Sequence, residues 1–147
     1  MKLQTKTHEK NQEMVGKRIE EAWTVSVEHY PTFNPLDAYT HTPFGRILHW
    51  LEIKCRDIVW GQYDDIFMSF EKFLPLYLAA ITTRIPGVFV VRCAGDDIRA
   101  VNVLEIDARK YEILNVGRKD RNNPLDSEPI IHVPSDLFVK IEDSMWL

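Results

Sequence analysis

Glu52, Ile53 and Lys54 place a carboxylate and an ammonium two positions apart near the end of an apolar run, Arg46 to Cys55. Side chains two apart on a strand leave the same face, roughly 6.5–7 Å from one another. Asp37 stands fifteen residues ahead of Glu52, and between them Thr42-Pro43-Phe44-Gly45 has Pro and Gly where a tight turn uses them. The chain therefore folds back as a hairpin, which brings Asp37 onto the neighbouring strand. Two carboxylates beside a lysine form a hard-oxygen donor set for a divalent cation, with a positive charge next to it. The triplet alone carries little, because 22 acidic residues and nine lysines in 147 positions produce roughly one acid-x-Lys triplet by chance. A surface ion pair at a strand end is the plain alternative. The position is more telling, since charges at the end of an apolar strand are expensive to bury without a purpose.

The elements that would hold these residues follow from periodicity. Val15, Ile19, Ala22 and Trp23 recur at helical spacing and predict a helix over 7–22. Residues 23–28 alternate apolar and polar as a half-buried strand does, and they stop before Pro31. The extended segment 35–39 and the return strand 46–55 make the hairpin, with the return strand central in a sheet. A polar loop is expected over 56–68, then a helix from a Ser69 cap to about Arg84, kinked or delayed by Pro75 and buried along Leu74, Leu78 and Ile81. Val88-Phe89-Val90-Val91 reads as a strand covered on both faces. Strand, helix, strand implies a parallel crossover. A further strand is expected over 98–104 after a turn at 95–97, with others near 110–116 and 129–133 around the polar loop 117–124.

Pro35-Leu36-Asp37 followed by Glu52-Ile53-Lys54 on a central strand resembles the signature of the PD-(D/E)xK nuclease superfamily, and the αβββαβ order of residues 7–94 resembles its core. Gly16-Lys17-Arg18-Ile19-Glu20 is similar to the Lys-Gly-x-x-x-Glu pattern that opens archaeal Holliday-junction resolvases of this superfamily, where the Glu is a further metal-site residue. Ser69-x-x-Lys72, Val90-Val91-Arg92 and the Gly-Arg-x-Asp-Arg loop at 117–121 are similar to small phage-type proteins. The resemblance implies an α/β (α+β) fold with a restriction-endonuclease-like core, a central mixed sheet flanked by helices and extra C-terminal strands. With no repeat, low-complexity stretch or linker between apolar blocks, the chain reads as one domain, with its core over about 7–105 and a loop-rich extension over about 106–147. The resemblance further implies a DNA substrate in phage DNA processing, recombination or repair, a Mg²⁺ or Mn²⁺ cofactor, and a homodimer.

Phosphodiester hydrolysis needs a nucleophilic water at neutral pH and a counter-charge for the developing pentavalent phosphate, both of which a carboxylate-held Mg²⁺ supplies. Asp37 and Glu52 would be the ligands, and the Ile53 carbonyl a third oxygen. Lys54 would orient or deprotonate the water and offset negative charge. Glu20, or its neighbour Glu21, could complete a second metal position from the first helix, although solvated surface carboxylates explain both equally well. Lys72 is a candidate phosphate contact at the positive end of its helix, or a solvated lysine. Arg109, Lys110, Arg118, Lys119 and Arg121 with Tyr111 could track a nucleic-acid backbone, Arg118, Lys119 and Arg121 above all. Asp107, Glu112 and Asp120 would make the same stretch an ordinary charged hairpin. Trp60 and Tyr63 could stack on bases or pack beneath their loop. His41 and His49 lack any HxH or HExxH companion and read as structural.

At 147 residues and 17.2 kDa the chain can bury roughly 68–70% of its unfolded surface. Apolar content of 45% with 27% charge is globular, and no apolar run approaches a membrane span. The polar start Met1-Lys2-Leu3-Gln4-Thr5-Lys6 lacks a signal peptide's features, and Cys55 and Cys93 without a CxxC pair read as free thiols, so a cytoplasmic location is expected. No GxSxG elbow, P-loop or GxGxxG occurs, which removes serine hydrolases, NTPases and dinucleotide enzymes. A net charge of −4 argues against a broad basic face. Two divalent ions would offset that charge, so metal is expected to bind before DNA does. A nuclease-like fold used only as a binding or assembly module remains the alternative function.

Overall fold

The computed structural model describes residues 6–31, 33–115 and 127–144. Helix α1 (Lys6–Trp23) leads into strands β1 (Ser26–His29), β2 (Ala38–His41), β3 (Ile47–Cys55) and β4 (Asp65–Ser69). Helix α2 (Phe70–Thr83) then precedes β5 (Gly87–Cys93), β6 (Asp97–Asn102), β7 (Tyr111–Asn115), β8 (Ser127–Pro134) and β9 (Val139–Lys140). Six strands form a mixed sheet in the order β1-β2-β3-β5-β6-β9, and β4, β8 and β7 form a second sheet. Strands β3 and β5 are parallel, as a crossover through α2 requires, while the other neighbours in the first sheet are antiparallel. The expected mixed sheet flanked by helices, with extra C-terminal strands, is the architecture observed.

The two faces of β3 meet different partners because its side chains alternate. Leu51 and Ile53 join Val15, Ile19 and Trp23 of α1 in one core with Val88 and Val90 of β5. The opposite face carries Trp50, which packs on a second core of Phe73, Leu76 and Ala80 from α2, Phe89 and Val91 from β5, and Ile131 and Val133 from β8. Strand β5 is buried on both sides, which its continuous apolar run anticipates. Gly87 opens β5 where a Cβ would lie 3.0 Å from the Leu76 carbonyl oxygen, so its bareness permits the close seat of α2.

Four local expectations are corrected. Trp23 belongs to α1 and not to the first strand. Its ring is buried on the Val15–Ile19 stripe and its Nε1–H donates to the Ile141 carbonyl at 3.0 Å. Thr24 then turns the chain in the left-handed region (φ 54°), and β1 starts only at Ser26. The segment 56–68 is not all loop, because Asp65–Ser69 is β4, whose Ile66 and Met68 are buried by pairing with β8, more than sixty residues later. Such a short strand is stable only with a partner that local sequence does not name.

Helix α2 buries Phe73, Leu76 and Ala80, and it exposes Leu74, Leu78 and Ile81 at 40%, 49% and 48%. It is apolar on nearly every side, so periodicity offers two stripes and packing selects one. Ser69 occupies the N-cap position, yet its hydroxyl makes no capping bond and its Oγ is buried without a hydrogen-bond partner. The helix runs through Pro75 to Arg84, whose left-handed backbone closes it with an N–H donated to the Ala80 carbonyl.

Candidate active site

Asp37 is fixed by its own backbone before its side chain does anything. Its N–H donates to the Leu51 carbonyl at 3.2 Å, and its carbonyl accepts from Tyr30 N–H at 2.8 Å. Its carboxylate Oδ2 accepts from the Ile53 N–H at 2.8 Å, so Asp37 brackets the stretch of β3 on which Glu52 sits. Glu52 points from the α2 side of the sheet, is only 5% exposed, and lies within hydrogen-bonding reach of the Asp37 side chain. Its Oε2 is buried with no hydrogen-bond partner.

Burial pushes the Glu52 carboxyl well above the usual range, and the Asp37 charge and hydrogen bond push it further. The nearby charges of Lys72 and Lys54 pull the other way. Lys72 lies in the first turn of α2, exposed at its rim, and Lys54 is exposed two residues beyond Glu52 on the same face. The structure thus brings Asp37, Glu52, Lys54 and Lys72 to one place. It is the carboxyl end of a parallel strand pair, where open α/β sheets hold their ligands.

It does not bring Glu20 there. The Glu20 Oε2 accepts from Val27 N–H at 2.9 Å, and Val27 pairs with Thr40. That row lies three residues, about 10 Å, along the strands from Asp37 and on the helical side opposite Glu52. Gly16 of the same stretch lies against His29, whose Nε2 a Cβ would meet at 2.7 Å, so the Gly-x-x-x-Glu spacing here serves the joint between α1 and β1. Glu21 and Glu13 are exposed. Among the described residues no group of three or more His, Cys, Asp or Glu side chains assembles to hold a metal. The acidic set available to a cation is therefore Asp37 and Glu52. Hard carboxylate oxygens, one of them orphaned in the interior, fit a Mg²⁺-type ion.

Arg56 is a residue that sequence reading missed. It follows Lys54 by two positions, is half-buried, and donates from its guanidinium to the Phe67 carbonyl at 3.0 Å. Desolvation lowers its pKa, and among the described residues no carboxylate pairs with it. The repeat Glu52-x-Lys54-x-Arg56 at strand period was the available signal. Arg56 lines a cleft of about 340 Å³ with Asn11, Cys55 and Arg92, where Arg92 is held by Asp96 and Asn11.

Arg118, Lys119 and Arg121 lie outside the described residues. Arg109 and Lys110 are exposed, with Arg109 ion-paired to Asp107 at 3.0 Å. Trp60 packs against Phe138, with ring centres 5.1 Å apart and Arg99 over its ring, whereas Tyr63 is exposed. His49 is buried in a hydrogen bond with Thr40, and His41 bridges Thr42 and Glu28. Cys55 and Cys93 are free thiols. Among the described residues no helix is long and apolar enough to cross a membrane.

No curated protein matches this sequence. In fold it is similar to Hjc of Archaeoglobus fulgidus, a Holliday junction resolvase from an archaeal hyperthermophile, with a TM-score of 0.54 at 9% identity over 91% of this chain and 96% of that one. Residues 1–141 match the family described as "Phage putative PDDEXK endonuclease". With the Asp37, Glu52 and Lys54 constellation seated on a resolvase-like sheet, the chain belongs to this phage PD-(D/E)xK endonuclease family.

Proposed function

We propose that the protein is a divalent-metal-dependent deoxyribonuclease that hydrolyses phosphodiester bonds in phage DNA processing, recombination or repair, acting in the cytoplasm. The observation that carries this reading is Glu52, a buried carboxyl with an orphaned oxygen held against Asp37. Asp37 and Glu52 would hold Mg²⁺ or Mn²⁺. The Ile53 carbonyl would assist, because the N–H and C=O of one strand residue point to the same side and the N–H already meets Asp37. When bound, the cation supplies a nucleophilic water at neutral pH and charge for the pentavalent phosphate.

The chain's own residues do the rest. Asp37 stays in place through its backbone and the Ile53 N–H, so its other oxygen is pre-oriented. Lys54 orients the attacking water and stabilises charge developing on the phosphate. Lys72 and the positive end of α2 hold the phosphate from the opposite side of the site, and Arg56 takes a neighbouring one. Cleavage of duplex, nicked, branched and single-stranded DNA in Mn²⁺, absent in EDTA, is the direct test. Asp37→Asn and Lys54→Ala should each lower the rate by about 10²-fold or more with circular dichroism unchanged. Full cleavage by both variants overturns the site. No heat on titrating Mn²⁺, with no cleavage of any substrate, favours a binding module.

A homodimer is part of the same proposal. Leu74, Leu78 and Ile81 leave an uncharged stripe at i, i+4 and i+7 on the outer side of α2, which a second copy could cover by two-fold symmetry. Leu78→Asp should convert a dimer to a monomer in analytical ultracentrifugation. A wild-type protein that sediments as a monomer at the highest concentration at which it stays in solution removes this part.

A further inference from the structure

The two strands that carry the acids also carry aromatic rings, on the same face and one step away. Tyr39 lies two residues from Asp37 on β2, and Trp50 two residues from Glu52 on β3, with Tyr39 and Trp50 paired across the strands. Tyr30 follows β1 and sits across from Asp37, to which its N–H is bonded. The rings touch in series around Tyr39. Its centre lies 5.2 Å from Tyr30, 6.3 Å from Trp50 and 5.8 Å from His41, with interplanar angles between 43° and 61°. All four residues are half-buried.

Trp50 is anchored by its Nε1–H to Thr83 Oγ1 at 2.9 Å at the end of α2, a helix that packs on β3 and β5. The loop joining Tyr30 to Asp37 adds Phe33, 73% exposed. Burial and the neighbouring Tyr39 raise the Tyr30 phenol above its usual range.

We infer that Tyr30, Tyr39 and Trp50 form a stacking platform for unpaired bases of the strand being cut, so that the preferred substrate is DNA that is single-stranded beside the scissile bond. This rests on the proposed placement of the scissile phosphate at Asp37 and Glu52. Tyr39 and Trp50 lie two residues, about 6.5–7 Å, along the chain from the acids, so a base attached to a phosphate held there falls over these rings. Within a duplex that base is already stacked and paired, and its faces are closed to a side chain. Once unpaired, it offers a π-face that tyrosine and tryptophan take irrespective of sequence. A sheet that presents aromatic rings to bases is a mode of single-strand recognition used by unrelated folds. The net charge of −4 limits phosphate contacts and leaves stacking a larger share of the affinity.

The test is fluorescence anisotropy of the full chain with a labelled 15-nucleotide oligothymidylate and with a blunt duplex of equal length, in EDTA and low salt. The single strand should bind at least about tenfold tighter than the duplex. Tyr39→Leu and Tyr30→Leu should each weaken single-strand binding about tenfold, within the span that base–aromatic stacking covers, and leave duplex binding within twofold. Tyr39→Phe, which keeps the ring, should bind as wild type does. If Tyr39→Leu fails to fold, Tyr30→Leu at the sheet edge carries the test.

Tighter duplex binding, unchanged affinity in both leucine variants, or a change of oligomeric state as the only effect of Tyr39→Leu overturns the platform. Because no metal or cleavage enters the assay, failure of the nuclease reading is distinguishable. Duplex cleavage without single-strand preference leaves that reading standing while the platform falls. Tyrosine-dependent binding without cleavage does the reverse.

Discussion

Glu52→Gln should raise the thermal stability of the metal-free protein while abolishing cleavage. Most changes to a buried residue do the opposite, so the sign is diagnostic. A glutamate that is 5% exposed, with one oxygen unpaired and a second carboxylate beside it, is destabilising in its ionised form. Glutamine has the same shape, carries no charge to desolvate, and can donate its amide to Asp37. The expected gain in EDTA is on the order of 2–5 °C in Tm. The expected loss of Mn²⁺-supported cleavage is about 10³-fold or more, because the variant removes a ligand and the transition-state charge compensation that depends on it. Differential scanning calorimetry and a plasmid-nicking assay read the two effects separately. A variant that is less stable and still cuts would show that Glu52 is a structural acid, and the site would have to be sought elsewhere.

The second large effect is a reversal of the pH dependence of stability by metal. The folded-state pKa of Glu52 lies well above its unfolded value, so between the two values the folded protein holds a proton that the unfolded chain has lost. In this window the unfolded state binds fewer protons, and stability falls as pH rises. Below the ordinary glutamate range both states are protonated, and above the folded value both are ionised, so the contribution is flat on either side. This is the reverse of a salt-bridged carboxylate, whose contribution is lost on acidification. A cation that binds only the ionised pair competes with the proton, so its stabilisation grows with pH.

Mn²⁺ at a hundred times its dissociation constant should add about 2.7 kcal/mol. That corresponds to roughly 5–10 °C in Tm for a chain of this size. Urea midpoints measured in EDTA should therefore decline as pH rises above the carboxylate range, and those in excess Mn²⁺ should not. Parallel curves with and without metal would mean that no cation meets Glu52. In Glu52→Gln both the decline and the metal response attributable to this residue should be gone.

The hairpin that unites Asp37 with Glu52 was legible because every signal for it is local. The Pro-Gly turn, the apolar return strand and the period-two spacing of Glu52 and Lys54 lie within twenty residues, and the structure adds only the Ile53 N–H that locks Asp37. The parallel crossover was legible for a related reason, since Val88–Val91 is apolar on both faces and only a covered strand is so. Glu20 shows where local reading stops. Its spacing from Gly16 matched a pattern, but which end of the sheet it reaches depends on the direction in which α1 crosses β3, and that is decided by the packing of Val15, Ile19 and Trp23.

Chain connectivity and side-chain period suffice for the acid–acid–lysine hairpin, the α1 stripe and the doubly buried β5. Only packing between distant segments shows which stripe of α2 faces inward, that Asp65–Ser69 is a strand, and that the rings of Tyr30, Tyr39 and Trp50 cluster beside the acids. Each of these depends on a partner distant in sequence or on another strand: β8 for β4, the β5 face for α2, and the cross-strand register for the rings. Burial of a nearly all-apolar helix, and pairing of a five-residue strand, are settled by what they meet, and periodicity carries no record of it.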